Sequence, residues 1–280
     1  MKTALIDVGG GYRAIYGAGI DDYCLKHGIS FDHCYGISAG SANLASFVAR
    51  QYRRSYKFYT DYSFRKEYAS FYNFRKTGNY IDLDYVYGTL SNSDGEYPLD
   101  YDTFVKNPTD FTVVAADGNT GKPHYFAKSD MKRDNYGPCK ASSSVPVVNH
   151  PYVIDGVPYF DGGIADPIPL RKAFEDGCDK VVIVLTHPKE WIRPQQKDEF
   201  PARILRRDYP NAARDLWYRA RTYNSESTEA RMWEKSGRVL ILAPTNLFNL
   251  NTLKKDRVGL EKMYREGFTD ARAIRAFLEK

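Results

Sequence analysis

The chain has 280 residues, with 40 Lys and Arg against 35 Asp and Glu, a net charge of +5 and 42% hydrophobic content. At roughly 150 residues per domain, this length suits one large or two modest domains that bury a core without disulfide or metal staples. The balance excludes disordered and fibrous classes, no run reaches the roughly 18 apolar residues of a membrane span, and the mild positive charge permits an anionic surface without arguing for nucleic acid.

The first residues, MKTALIDVGGG, are too short in apolar run and too charged for a secretory signal, so a cytoplasmic setting is expected. In that setting Cys24, Cys34, Cys139 and Cys178 are expected to be reduced. Thr3–Val8 reads as a buried strand entering the loop Gly9-Gly10-Gly11, and Ala14 to about Lys26 as a helix closed by Gly28. Phe31–Ile37 is a second strand and Ala39–Tyr52 a second helix, which completes a right-handed βαβ unit. Residues 52–88 form a block with 13 aromatic residues and seven Lys or Arg. Phe111–Ala116 and Lys180–Leu185 are β-branched runs typical of buried strands, with short strands and Asp-Gly turns between Val147 and Phe160. Pro169–Asp176 reads as a short helix, Arg203–Lys235 as one or two basic helices broken near Pro210, Arg238–Ala243 as a strand and Arg257–Glu279 as a terminal helix. Buried strands alternating with helices predict a three-layer α/β/α fold with a central, mostly parallel sheet.

Gly36-Ile37-Ser38-Ala39-Gly40 fits G-x-S-x-G at the junction of a predicted strand and helix. That chemistry needs a sharp turn that exposes the serine Oγ, with glycines two residues either side to avoid Cβ clashes. Gly9-Gly10-Gly11-Tyr12-Arg13 follows the first strand, and such a loop can aim backbone N–H groups at an anion ahead of a helix N-terminus. If the first two strands are parallel neighbours, both loops share the carboxyl edge of the sheet, as an acyl-transfer site requires. GGGYRA also satisfies the dinucleotide fingerprint, with Asp32 about 20 residues on. Asp32 opens the second strand, however, which is the wrong end for a ribose.

Asp161-Gly162-Gly163 lies between a short strand and a helix, either as a plain turn or as an accessible carboxylate. A Ser-Asp-His arrangement would need a histidine after the acid, and only His187 qualifies. That scarcity favours a dyad in which a carboxylate takes the serine proton, a role that demands a pocket excluding water. Cys24, His27, His33 and Cys34 fit no standard zinc spacing, and no calcium loop is present.

The order GGGYR, GISAG about 25 residues later, then ASSSVPV and DGG, resembles the patatin-like phospholipase (acyl hydrolase) family. The stretches RRDYPNAARDLWYRARTYNSE, VLILAPTN and EKMYREGFTDA are similar to its small single-domain bacterial branch, so the likeness spans nearly the whole chain. The resemblance implies a Ser-Asp dyad, with Ser38 as nucleophile, Asp161 as base, and Gly9, Gly10, Gly11 and Arg13 as the oxyanion element. Gly36, Gly40, Gly162 and Gly163 would support these turns, and no metal or organic cofactor is implied. One departure is Ala14, where the family usually has glycine.

The expected organisation is one domain over residues 1–280. Residues 52–88 would be an aromatic and basic helical insertion near the site, and 203–280 a helical and strand extension. Gly118-Asn119-Thr120-Gly121 is read as a structural turn, Ser142, Ser143 and Ser144 as a loop that lines the pocket or, taken alone, is solvated, and Arg203, Arg206, Arg207, Arg214, Arg219 and Arg221 as a solvated helix face. The block 52–88 is read as a helical pair packing part of its aromatics inward, or as an interfacial surface in peripheral contact with an anionic membrane. The expected activity is hydrolysis of lipid acyl esters, as in a phospholipase A or lysophospholipase. The alternatives are a thioesterase or small-ester hydrolase using the same dyad, and a non-catalytic acyl-lipid or anion-binding module. The oligomeric state is left open.

Overall fold

Eight strands form one sheet in a computed structural model that describes all residues 1–280: β1 (Thr3–Asp7), β2 (His33–Ile37), β3 (Asp110–Asp117), β4 (Pro123–Ala127), β5 (Tyr152–Ile154), β6 (Val157–Asp161), β7 (Lys180–Val184) and β8 (Val239–Leu242). The hydrogen-bonded order is β5-β6-β3-β2-β1-β7-β8, with β4 also paired to β3. Strands β3, β2, β1, β7 and β8 run parallel, and β4, β5 and β6 are antiparallel to their neighbours. The central strands are apolar on both faces because both are covered, as in parallel sheets generally. Leu5 packs into one core, while its neighbours Ala4 and Ile6 pack into the other.

The helices are α1 (Ile15–Lys26), α2 (Ala39–Val48), α3 (Arg54–Thr60), α4 (Phe71–Thr77), α5 (Tyr101–Lys106), α6 (Gly137–Ser142), α7 (Leu170–Glu175), α8 (Gln196–Leu205), α9 (Pro210–Lys235), α10 (Arg257–Asp270) and α11 (Arg272–Leu278). Residues of α1, α2, α10 and α11 build the core on one face of the sheet, and α7 and α9 supply the other. This is the three-layer α/β/α arrangement with a mostly parallel sheet.

The second helix stops at Val48, short of Tyr52, because the polar run after it turns twice, at Arg50 (φ 55°) and Arg53 (φ 59°). The terminal helix divides at Ala271 into α10 and α11. Strand β4 and helices α5 and α6 had no clear apolar period; β4 is an edge strand with mostly exposed side chains. Gly118–Gly121 is the turn between β3 and β4, and Asp155-Gly156 joins β5 to β6 with both residues at positive φ. In 52–88, Phe58, Tyr59, Tyr62 and Tyr87 are buried, whereas Phe71 and Tyr72 on α4 are 78% and 71% exposed.

Candidate active site

Parallel pairing of β1 with β2 sets Asp7 opposite Gly36, so the glycine loop and the G-x-S-x-G turn leave the sheet side by side at its carboxyl edge. Ser38 turns between β2 and α2 with φ 54° and ψ −131°, a conformation costly for a residue with a Cβ. The surroundings hold it there. Its N–H donates to Ser142 Oγ at 2.7 Å, and that hydroxyl donates to the Val114 carbonyl at 2.6 Å. Its carbonyl accepts from Ser41 Oγ at 2.7 Å. A Cβ on Gly36 would overlap the Ser41 backbone, and one on Gly40 would overlap the Asp7 carbonyl. The Ser38 Oγ itself makes no hydrogen bond within the chain and faces a cavity.

Gly9, Gly10 and Gly11 all take positive φ, at 67°, 124° and 61°. Gly9 presses on the serine turn, where a Cβ would overlap the Ile37 carbonyl and come within 3.0 Å of Ser38 Cβ. Its N–H donates to Asp7 Oδ1 at 2.9 Å and its carbonyl accepts from Thr186 Oγ1 at 2.5 Å, so this peptide is already engaged. The N–H groups of Gly10 and Gly11 have no partner in the chain. The Arg13 guanidinium lies over this loop, such that a Cβ on Gly10 would sit 3.3 Å from its Nη2. Arg13 is buried, its Nε lacks a partner, and burial followed by repulsion from Arg193 lowers its pKa to about 10.

The acid turn reaches the serine through the register of β3. Residues Thr112–Ala116 pair with β4 along one edge, so β2, which pairs as far as Val114, and β6, which begins pairing at Ala115, share the other edge. Ile37 therefore faces Val114 and Asp161 faces Ala115, two partners only about 3.8 Å apart along the chain. The serine turn departs where the aspartate turn arrives. Asp161 Oδ1 accepts the Gly163 N–H at 2.8 Å, and the Asp161 N–H donates to the Ser144 carbonyl at 2.9 Å. Gly162 lets this turn lie on β3, where a Cβ would overlap the Val114 carbonyl. The end of α6 and the residues after it thus staple both turns, Ser142 to one and Ser144 to the other.

Ser38 lies between two cavities. One, of about 520 Å³, is shared with Gly10, Gly11, Arg13 and Asp161 and walled by Arg193, Lys197, Arg219 and His187. Its four cations face Asp161 and Asp198. Asp198 accepts a two-pronged bond from Arg193 at 2.6 and 2.7 Å and lies 3.9 Å from Arg219. The other cavity is mainly apolar and runs from Ser38 past Ala42, Tyr59, Phe58 and Tyr87. The His187 ring stacks on Trp191 at 3.6 Å and bonds neither Ser38 nor a carboxylate. Burial, then Arg13, Lys197 and Arg193, push its pKa down to about 3, so it is neutral near pH 7.

Other expectations need correction. Arg219 is not part of a solvated face; it lies beside the acid turn, with Nη2 2.7 Å from where a Gly163 Cβ would be. The rest of that arginine set is exposed. Ser142 and Ser144 are fully buried rather than loop residues in solvent. Asp32 bonds the Thr3 N–H at 2.7 Å, at the opposite edge of the sheet from the glycine loop. Sequence reading missed Asp7 and Asn43. Asp7 is fully buried beneath the loop, accepts from Asn43 Nδ2 at 2.9 Å, and has its pKa raised to about 6 by burial. A carboxylate closing an apolar strand just before three glycines is the signal that could have found it.

The family model "Patatin-like phospholipase" matches residues 8–174. This chain belongs to that family. The patatin-like match takes in the glycine loop, the serine turn and the aspartate turn, but ends before His187, Arg193, Lys197 and Arg219. A second model, a domain of unknown function (DUF6363), matches residues 209–279. The uncharacterized protein YjjU of Escherichia coli (strain K12) is 30% identical over 200 residues, which is 69% of this chain and 55% of YjjU. The chain therefore spans about half the length of that curated relative. The crystal structure of VipD from Legionella pneumophila aligns with 97% of this chain and 66% of its own, at 12% identity and a TM-score of 0.49.

Proposed function

We propose that the protein hydrolyses acyl esters of lipids bearing an anionic head, through a Ser38–Asp161 dyad and an acyl-enzyme. The observation that carries this reading is the meeting of both turns on one edge of β3, beside the unpartnered Gly10 and Gly11 N–H groups. Ser38 Oγ attacks the carbonyl carbon while Asp161 accepts its proton. The oxyanion takes hydrogen bonds from Gly10 and Gly11 and the charge of Arg13, donors whose single loss typically costs about 10²–10³ in rate. Gly9 is left out, because its N–H is held by Asp7. Asp161 returns the proton to the departing alkoxide, then takes one from water as the hydroxide attacks the acyl carbon, and delivers it to Ser38 Oγ as the acid is released.

The two cavities support a division of labour, with the acyl chain in the apolar one and the leaving group among the cations. The same cations would suit a phosphate-bearing thioester carrier, and comparing the two leaving groups on one acyl chain separates these substrates. We read residues 1–280 as one hydrolase domain, since β8 of the C-terminal segment joins the sheet. Exposed Phe71 and Tyr72, next to Arg75 and Lys76, would meet an anionic membrane surface; no helix is long and apolar enough to cross one. The test is labelling by a fluorophosphonate probe. Labelling should vanish in Ser38→Ala and persist in Ser41→Ala, whose hydroxyl is fully buried. Equal labelling of Ser38→Ala and the parent would exclude Ser38 as nucleophile.

A further inference from the structure

The apolar cavity contains a charge that nothing in the chain neutralises. Arg54, on α3, is 5% exposed, yet it lines this cavity together with Ser46 and Ser91, which its guanidinium bonds. It donates only to neutral oxygens: Ser46 Oγ at 3.1 Å, Ser91 Oγ at 2.9 Å and the Tyr97 carbonyl at 3.0 Å. Its Nε has no partner, and no carboxylate lies within ion-pair distance. The Phe58 ring packs 4.5 Å from its Cζ. Burying a cation among aromatic rings without a counter-ion is costly, and such charges are normally paired or relieved by losing a proton. Burial lowers the pKa of Arg54 only to about 10, so it remains charged near neutrality.

The position of this charge is measured by α2. Ser38, Ala42 and Ser46 line the cavity at four-residue intervals, and Arg54 bonds Ser46. Eight residues of helix rise about 12 Å. An extended chain advances about 1.2 Å per bond, so a group some ten bonds from the reacting carbonyl meets the guanidinium.

We infer that the acyl cavity selects acyl groups carrying a carboxylate at their far end, about eight to ten carbons from the ester carbonyl, with Arg54 as the residue that recognises it. The inference rests on the reading of Ser38 as nucleophile. Hydrolysis breaks the acyl–oxygen bond, water supplies OH to the acyl carbon and H to the alcohol, and the product is a dicarboxylate. A charge-assisted bond to Arg54 replaces the water lost by the carboxylate end, which an all-apolar tunnel cannot do.

Two 4-nitrophenyl monoesters of nonanedioic acid decide it, one with a free terminal carboxylate and one capped as the methyl ester. The parent enzyme should favour the free acid at least tenfold in kcat/KM at pH 8. Arg54→Gln should abolish that ratio and Arg54→Lys should retain part of it, and because each ratio is taken within one variant, partial loss of folded protein does not distort it. Equal rates on the two esters in the parent, or faster turnover of the capped one, overturns the inference with no variant needed. Butyryl ester, too short to reach Arg54, separates the two levels: butyrate turnover without carboxylate preference sinks only the role of Arg54, whereas no turnover of any ester sinks the nucleophile. Placing the same acyl group on a lysophospholipid and on a small thiol then identifies the donor as a lipid or a soluble thioester.

Discussion

Ser142→Ala tests whether the strained serine turn is held from α6. The hydroxyl accepts from Ser38 N–H at 2.7 Å and donates to the Val114 carbonyl at 2.6 Å, in a fully buried position. Deleting it leaves a donor and an acceptor unpaired, at about 1–3 kcal/mol each before relaxation, so a loss of roughly 2–4 kcal/mol is expected. At about 2–4 °C per kcal/mol, the midpoint of thermal unfolding should fall by roughly 5–15 °C. The left-handed φ of Ser38 stores about 1–3 kcal/mol of strain, and a turn free to relax must regain it before attack. Turnover of 4-nitrophenyl butyrate should therefore drop about 10–100-fold in kcat, with KM moving little. Scanning calorimetry and initial rates on the same preparation measure both effects. An unchanged melting temperature with unchanged kcat would refute the reasoning, because the two buried partners would then have found equivalents the structure does not contain.

Asp7 should leave a signature in pH. Its folded pKa of about 6 exceeds the ordinary 3.8, so the native state binds more protons between these values and stability falls as pH rises through that window. The difference in unfolding free energy between the parent and Asp7→Asn, followed by urea titration, should change by about 3 kcal/mol from pH 3.5 to pH 7, and a flat difference would contradict it. Asp161→Asn should lower kcat by about 10³ or more with a near-parental melting temperature, whereas His187→Ala, already neutral above pH 4, should stay within about tenfold and keep the acid limb of the rate profile. Equal damage from the two would point to a histidine base. Phe71→Ala with Tyr72→Ala should weaken sedimentation with anionic vesicles by about tenfold or more without altering thermal unfolding, since each exposed ring contributes about 1.5–3 kcal/mol when buried in lipid.

The parts of this fold that follow local rules were legible. The runs around Ile6, Val113 and Ile183 had no choice but a covered sheet, and the glycines at 9–11, 36 and 40 marked turns where a Cβ would overlap a neighbouring backbone. The proximity of Ser38 and Asp161 was reached from motif order and resemblance, whereas its physical cause is the register of β3, which hands one edge from β2 to β6. No periodicity encodes that handover. Ser142 was read as solvated for the same reason, since a serine run before a proline looks like a loop until a strand is known to lie beneath it. Arg219 has the same composition-level appearance as Arg214 and Arg221; only the rotation of α9 turns it inward while they stay exposed.

That rotation bears on how chemistry and selection are divided along the chain. The glycine loop, the serine turn and the aspartate turn all lie within residues 8–174, the span matched by the patatin-like family. Arg193, Lys197, Arg219 and Thr252, which close the cavity on its charged side, all lie beyond it. Arg193, just before α8, is fixed by Asp198 on α8, and Arg219 of α9 lies 3.9 Å from the same carboxylate beside the acid turn, so these two arginines form one braced wall rather than independent flexible side chains. On the proposed reading, a preformed cationic wall would lower the ordering cost of holding an anionic leaving group without altering the geometry at Ser38. Changes in α8 and α9 would then shift which leaving group is accepted while the attack on the carbonyl stays the same, whereas changes around Ser142 or Asp7 would impair turnover of every ester alike.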